Sequence, residues 1–223
     1  MREIVLDTET TGLDPKSGHR IVELACIELT NHVSTGSNFH RYLNPERDMP
    51  ADAAAIHGIT EEFLEDKPVF AEVAGEFLDF IADAALVIHN ADFDLAFLNA
   101  ELGRLGFPAI ARGRAVDTVT LARRKFPGQP ASLDALCQRF SIDNSKRSLH
   151  GALLDAELLS EVYLELIGGR QASIELNAGP VIGDQRARRV ARPARAHAPS
   201  KSELAAHREL LAKLKAPIWS AES

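Results

Sequence analysis

Asp7 and Glu9 stand at the end of an apolar run, Ile4-Val5-Leu6, and are followed by Thr10-Thr11-Gly12. A run of that kind closed by a glycine reads as a buried strand that ends in a turn. Side chains alternate across a strand, so residues two apart emerge on one side and both carboxylates point into one small volume. Held that close, two anions repel and lose hydration, a cost that a divalent cation offsets. The structural alternative is a strand end with both acids facing water. The rest of the chain has to decide between the two.

The apolar periodicity continues as an alternating pattern. Residues 3–9 and 20–29 read as strands, Asn38 to Leu43 as a third, and Phe70 to Ile81 as an amphipathic helix. Ala85 to His89 reads as a short buried strand, and Asp92 to Leu105 as a helix with the stripe Phe93, Phe97, Leu98 and Leu102. Ala115 to Asp117 supplies a last strand, followed by helices near 118–125, 132–140 and 151–167. Strands first in succession and then interleaved with helices imply an α/β domain: a mixed sheet flanked by helices, ending near Gly168-Gly169. A chain of 223 residues holds one such domain with a full core, plus an appendage.

Beyond the glycine pair, residues 177–201 are rich in Ala, Arg, Gly and Pro, which predicts a flexible linker. Leu204, Leu210, Leu211 and Leu214, with Ile218 and Trp219, then form a short amphipathic segment over 202–223 that has nothing in the linker to bury against. It reads as a helical docking element for another protein.

Charge sharpens this division. Residues 186–201 carry six bases, Arg186, Arg188, Arg189, Arg192, Arg195 and Lys201, and no acid. Since 202–223 is balanced and the whole chain sums to -7, the first 185 residues carry about -13. Such a body has no bulk attraction for phosphates. A nucleic-acid substrate would require metal ions and a tethering partner to compensate. No run approaches the roughly 18 apolar residues of a membrane span, and the first residues read as strand and not as a signal peptide, so a cytoplasmic protein with no membrane partner is expected. Cys26 and Cys137, far apart and embedded in apolar segments, are expected to be reduced core residues.

Three further constellations bear on the acidic strand. In His89-Asn90-Ala91-Asp92-Phe93-Asp94 a buried strand runs into the first turn of a helix, where an acid such as Asp94 also complements the helix dipole. In Leu149-His150-Gly151-Ala152-Leu153-Leu154-Asp155 the last helix begins. Five residues of ideal helix turn the direction by about 140°, so His150 shares a face with Asp155 only if it sits on the entering loop, where Gly151 can break the helical path. Ala55-Ile56-His57-Gly58-Ile59-Thr60 reads as a polar loop, and His57 alone as a surface residue.

Taken together, the Asp-x-Glu strand, the Asn-Ala-x-Phe-Asp helix start and the His-x-x-x-x-Asp ending resemble the DEDD exonucleases of the His-containing subclass. Leu133 to Cys137, with the stretch Ile142-Asp143-Asn144-Ser145-Lys146-Arg147-Ser148-Leu149-His150-Gly151-Ala152-Leu153-Leu154-Asp155-Ala156, is similar to the proofreading epsilon-subunit family of bacterial DNA polymerase III. The likeness spans about 170 residues and implies an RNase H-like fold over 1–170.

The resemblance implies a metal-dependent 3′ to 5′ DNA exonuclease that removes mispaired nucleotides as 5′-monophosphates. Asp7, Glu9 and Asp155 would hold two divalent ions, Mg²⁺ or Mn²⁺, with Asp94 acting through water. His150 would be the general base, its imidazole accepting a proton near neutral pH as a metal-bound carboxylate does not. Oxygen ligands suit those hard cations, and nothing in the sequence has the Cys/His spacing of structural zinc. Thr10, Asp52 and His57 would contact the terminal nucleotide of a DNA 3′ end, beside Asp7, Glu9 and Asp155. Asp52 stands where the family's better-known member has Glu, one methylene longer. Phe93 reads either as a stacking surface for a base or as core packing.

Gln171-Ala172-Ser173-Ile174-Glu175-Leu176 resembles a sliding-clamp-binding peptide, with Gln171, Ile174 and Leu176 as its anchors. The segment from Ala205 to Trp219 resembles the part of the family that binds the polymerase III alpha subunit. A small theta-like third subunit is a further partner the family admits. Tethering would raise the effective concentration of an acidic nuclease at DNA. Two other readings stand beside this one: an exonuclease that trims RNA ends, and a noncatalytic scaffold for polymerase and clamp.

Overall fold

The computed structural model describes residues 1–145, 147, 149–169 and 198–215. The chain divides into two units, Met1–Ile174 and Glu175–Ser223. The first contains β1 (Arg2–Thr10), β2 (Ile21–Thr30), β3 (Val33–Tyr42), α1 (Ala51–His57), α2 (Glu61–Leu64), α3 (Phe70–Ile81), β4 (Ala85–Ile88), α4 (Ala91–Arg104), β5 (Ala115–Asp117), α5 (Thr118–Lys125), α6 (Leu133–Phe140) and α7 (Ala152–Leu166). The strands form one sheet in the order β3-β2-β1-β4-β5. β1 to β3 are antiparallel, whereas β4 and β5 run parallel to β1.

The parity of β1 assigns the two faces. Ile4 and Leu6 join Leu24, Cys26, Leu86 and Ile88 against the apolar stripes of α3 and α4, including Phe77, Phe97, Leu98 and Leu102. Val5 joins Ala25, Ile27 and Val87 against α6 and α7. Phe77 and Phe97 are at most 1% exposed, and truncating either to Ala would cost about 3–5 kcal/mol. Both cysteines are buried and free, as expected for core residues. The odd-numbered side chains of β1 therefore face α7. At its start Glu3 accepts a hydrogen bond from the Tyr163 hydroxyl at 2.6 Å; at its end come Asp7 and Glu9.

β3 begins at Val33, five residues before the expected start at Asn38. Asn31 and His32 both have positive φ, 50° and 67°, the backbone of a two-residue hairpin turn whose twist suits the flanking strands. That turn aligns Thr30 with Val33 and extends pairing through a segment with no apolar signal. His57 is also placed differently from the expectation. It ends the short helix α1, an alanine-rich run that follows Pro50 where a polar loop was expected, and it is 6% exposed.

In the second unit, Lys201–Lys213 forms helix α8, begun by a reciprocal pair in which Ser200 caps the Glu203 backbone and Glu203 caps that of Ser200. Leu204, Leu210 and Leu214 are exposed. The expected clamp peptide, most of the linker and Trp219 lie outside the described residues. No described helix is long and apolar enough to cross a membrane.

Candidate active site

β1 and β4 are adjacent parallel strands, and crevices outside the carboxyl ends of such strands are natural ligand sites. Here the end of β1 supplies Asp7 and Glu9, and the register with β2 shifts between Glu9 and Thr10, an irregularity that commonly marks a site. After β4 the chain reverses through Asn90, at φ 68°, a left-handed conformation that Asn tolerates. α4 therefore starts at once and carries Asp94 in its first turn, 3% exposed. α7 supplies Asp155, 4% exposed, from its own first turn.

His150 precedes α7 on the entering loop, where its Nδ1 lies 3.4 Å from Asp155 Oδ2. Gly151, at φ -161°, is extended backbone that any residue adopts, so the loop owes nothing to the conformational freedom of glycine. The His150 backbone N–H donates to the Ile56 carbonyl at 3.1 Å, which ties this loop to α1. Leu149 packs on Gly58, which ends α1 at φ 73°; a Cβ there would lie 2.7 Å from Leu149 Cδ1.

A cavity of about 300 Å³ is lined by Asp7, Glu9, Asp94, His150 and Asp155, with Thr8, His89, Phe93, Asp134 and Arg147 among its other walls. All five residues expected for the chemistry thus meet. Glu9, His150 and Asp155 each offer one ligand atom, and these atoms lie within 4.8 Å of one another. The expected ligand trio had Asp7 in the place that His150 takes in this closest group. Next to it is a larger cavity of about 570 Å³ that shares Thr8, Glu9 and Phe93 and is lined by Thr10, Gly12, Leu13, Asp52, Ile56 and His57. The expected nucleotide contacts Thr10, Asp52 and His57 therefore gather here. The Thr10 hydroxyl is occupied, donating to the Gly12 carbonyl at 2.6 Å. His57 Nδ1 accepts the Ile59 N–H at 3.1 Å.

Crowded acids in a dry pocket resist ionisation. Burial, and then the charges of Asp94, Glu9, Asp155 and Glu23, hold the Asp7 carboxyl well above the ordinary carboxylate range. Glu9 is pushed up to about 8, by burial first and then by Asp155, Glu23 and Asp94, with Arg147 opposing them. Burial raises Asp94 to about 7 against the lowering effect of its hydrogen bonds to Thr8 and the backbone. Burial lowers His57 and His89.

Four residues that hold the site in place were not anticipated from sequence. Thr8 points to the opposite face from Asp7 and Glu9 and donates its hydroxyl to Asp94 Oδ1 at 2.7 Å. Glu23, 3% exposed and paired in register with Glu9, accepts the Ala152 N–H at 3.0 Å and contacts His40 Nε2 at 2.7 Å. It anchors the first turn of α7. Arg147 and Asp134 flank Asp155 and His150. The one available signal was Glu23, an acid set between apolar residues near the start of β2.

A mixed five-stranded sheet with acids gathered at the ends of β1 and α7 defines a nuclease of the RNase H-like class. The Exonuclease family model (RNase_T) matches residues 4–163. The chain is 51% identical over 222 residues to the DNA polymerase III subunit epsilon of Rickettsia felis, covering 96% of this chain and 97% of that one. Among solved structures, exonuclease X in complex with 5′ overhanging duplex DNA aligns at TM-score 0.58 and 27% identity, over 74% of this chain and 90% of that one. The nuclease domain of 3′hExo, a DEDDh family member bound to rAMP, shares the fold at TM-score 0.64 and 17% identity, over 74% of this chain and 91% of that one. The chain belongs to the exonuclease family and, within it, to the DNA polymerase III epsilon subunits.

Proposed function

We propose that this chain is the proofreading 3′ to 5′ exonuclease of a DNA polymerase III core, hydrolysing mispaired 3′-terminal nucleotides to 5′-monophosphates. The observation that carries the reading is the convergence of Asp7, Glu9, Asp94, Asp155 and His150 on one cavity.

The donor set fits divalent cations. It is rich in carboxylate oxygen, and burial, joined by neighbouring acids around Asp7 and Glu9, holds three of its carboxyls above the ordinary range, a cost that bound cations offset. Asp7, Glu9 and Asp155 would hold two ions, Mg²⁺ or Mn²⁺, with Asp94 reaching them through water. Bound there, such ions supply Lewis acidity toward the scissile phosphate and toward the attacking water.

The protein's own groups do the rest. The terminal nucleotide lies in the larger cavity against Thr10, Asp52 and His57, with Phe93 at the junction offering a flat surface to any base. Its phosphate falls beside Glu9, which both cavities share. Neutral His150 takes a proton from the water whose oxygen bonds to phosphorus, while the bond from phosphorus to the 3′ oxygen breaks. The 3′ oxygen leaves with a proton from solvent. The selection of mismatches comes from fraying, since an unpaired end separates at lower cost.

Residues 202–223 would dock the polymerase alpha subunit, 177–201 would serve as the tether, and 171–176 would engage the sliding clamp through Gln171, Ile174 and Leu176. A theta-like subunit would complete the core in the cytoplasm. Hydrolysis of a 3′-mismatched primer, its paired counterpart and single-stranded RNA tests the reading. The mismatched end is expected to be cut fastest, and faster digestion of RNA would overturn it. His150→Ala should lower turnover about 10²-fold or more while Mn²⁺ affinity changes little. Equal damage to Mn²⁺ binding would make the imidazole a ligand.

A further inference from the structure

The reaction just described leaves Arg147 without a role, yet this residue is built into the site. Its side chain is only 7% exposed and is the one Arg or Lys among the described residues lining the carboxylate cavity. Nε donates to Asp155 Oδ1 at 2.6 Å and Nη2 to Asp155 Oδ2 at 2.7 Å, a two-point fork that uses both oxygens of the acid. Nη2 also lies 2.9 Å from His150 Nδ1. A guanidinium carries donors only, so this contact takes the Nδ1 lone pair and leaves the ring proton on Nε2. A neutral imidazole has one lone pair, and here Arg147 holds it. On its far side the same guanidinium is anchored by Nη1 to both oxygens of Asp134, each at 2.8 Å, outside the carboxylate cluster.

A cation on Asp155 and a proton-accepting His150 both need atoms that Arg147 occupies in this arrangement. We propose that Arg147 is a positioning residue that exchanges with the divalent ion. In the metal-free protein it neutralises Asp155 and withholds the His150 lone pair; on metal binding it gives up both together and retracts toward Asp134. The inference rests on the exonuclease reading above. It gives the enzyme a resting state in which its base is unable to act until the ion is seated, and in which buried Asp155 is never left without a positive partner.

Titration of the full chain with Mn²⁺ alone, followed by calorimetry and by the Mn²⁺ electron paramagnetic resonance signal, tests the exchange. Arg147→Met removes the competing charge and is expected to tighten Mn²⁺ binding about tenfold or more, with Arg147→Lys, which keeps the charge without the fork, falling between. In chelator, Arg147→Met should melt at a lower temperature than the wild type and recover when Mn²⁺ is added. If Arg147→Met binds Mn²⁺ as the wild type does, or more weakly, the exchange is wrong although the exonuclease reading stands. If the wild type binds no Mn²⁺, both fall. Nitrogen-15 spectra of the wild type with Mg²⁺ decide the matter even should Arg147→Met not fold. The Arg147 Nε–H is expected to lose its protection from solvent exchange, and the His150 ring nitrogens to shift, as Mg²⁺ is added. An Arg147 Nε–H still protected at saturating Mg²⁺ would overturn the proposal.

Discussion

The Thr8 hydroxyl donates to Asp94 Oδ1 across 2.7 Å, so the residue between the two strand carboxylates holds the acid supplied by α4. β1 thereby organises both sides of the sheet at its carboxyl end. Asp7 and Glu9 face α7 by parity, and Thr8 reaches through the other face. Thr8→Val keeps the shape and removes the donor, leaving a carboxyl 3% exposed with one partner fewer. A loss of about 1–3 kcal/mol in chemical denaturation is expected, together with a fall in nuclease rate. An unchanged denaturation midpoint would mean that Asp94 is held by the backbone alone.

Asp7 and Glu9 are kept close at a cost to the fold. Removing both as Asp7→Ala/Glu9→Ala should lower primer hydrolysis about 10³-fold or more. In chelator the double variant should melt no lower than the wild type, because the deleted charges repel. A variant that keeps its rate would remove these residues from the chemistry, and one that melts well below the wild type would contradict the repulsion between them.

The raised acids set a pH window. Glu9 in the folded chain titrates at about 8 and Asp94 at about 7, above the ordinary values of 4.5 and 3.8. As pH rises from about 4 to 8 the unfolded chain releases these protons first, so it binds fewer than the native state and the native state loses stability. The denaturation midpoint in chelator is therefore expected to fall across this window, while Mn²⁺ affinity rises as the ligands ionise. A midpoint that climbs from pH 5 to 8 would contradict the electrostatics described here.

Glu23 is expected to matter through the first turn of α7. Glu23→Leu leaves the Ala152 N–H without its acceptor and should cost about 1–2 kcal/mol while slowing hydrolysis. Glu23→Gln keeps an acceptor and should behave nearly as the wild type. Equal losses in the two variants, measured by denaturation and primer digestion, would assign the effect to charge and not to the hydrogen bond.

Much of the site was legible because its signals are local. The spacing of Asp7 and Glu9 fixes their common face, and the helical angle between His150 and Asp155 requires the imidazole to enter from a loop, as it does. Phe70 to Ile81 shows a helical stripe that the fold keeps unchanged. The failures share a different cause. β3 extends back to Val33 because a two-residue turn imposes the pairing on polar, exposed residues. His57 is buried at a helix end because of what packs around α1, which periodicity does not register. Arg147 stands three residues before His150, yet its anchor is Asp134, thirteen residues earlier on α6, a contact that sequence spacing does not register.

The hydrogen bond from the His150 backbone to the Ile56 carbonyl spans the boundary between the two cavities. The loop that carries the imidazole and the helix that lines the larger cavity are stitched to each other, with Leu149 wedged over Gly58 beside the seam. Neither can drift alone without tearing that stitch. Any guest that pushes on α1 also tugs His150, and under the function proposed above the grip on the last base and the aim of the cut become one mechanical quantity.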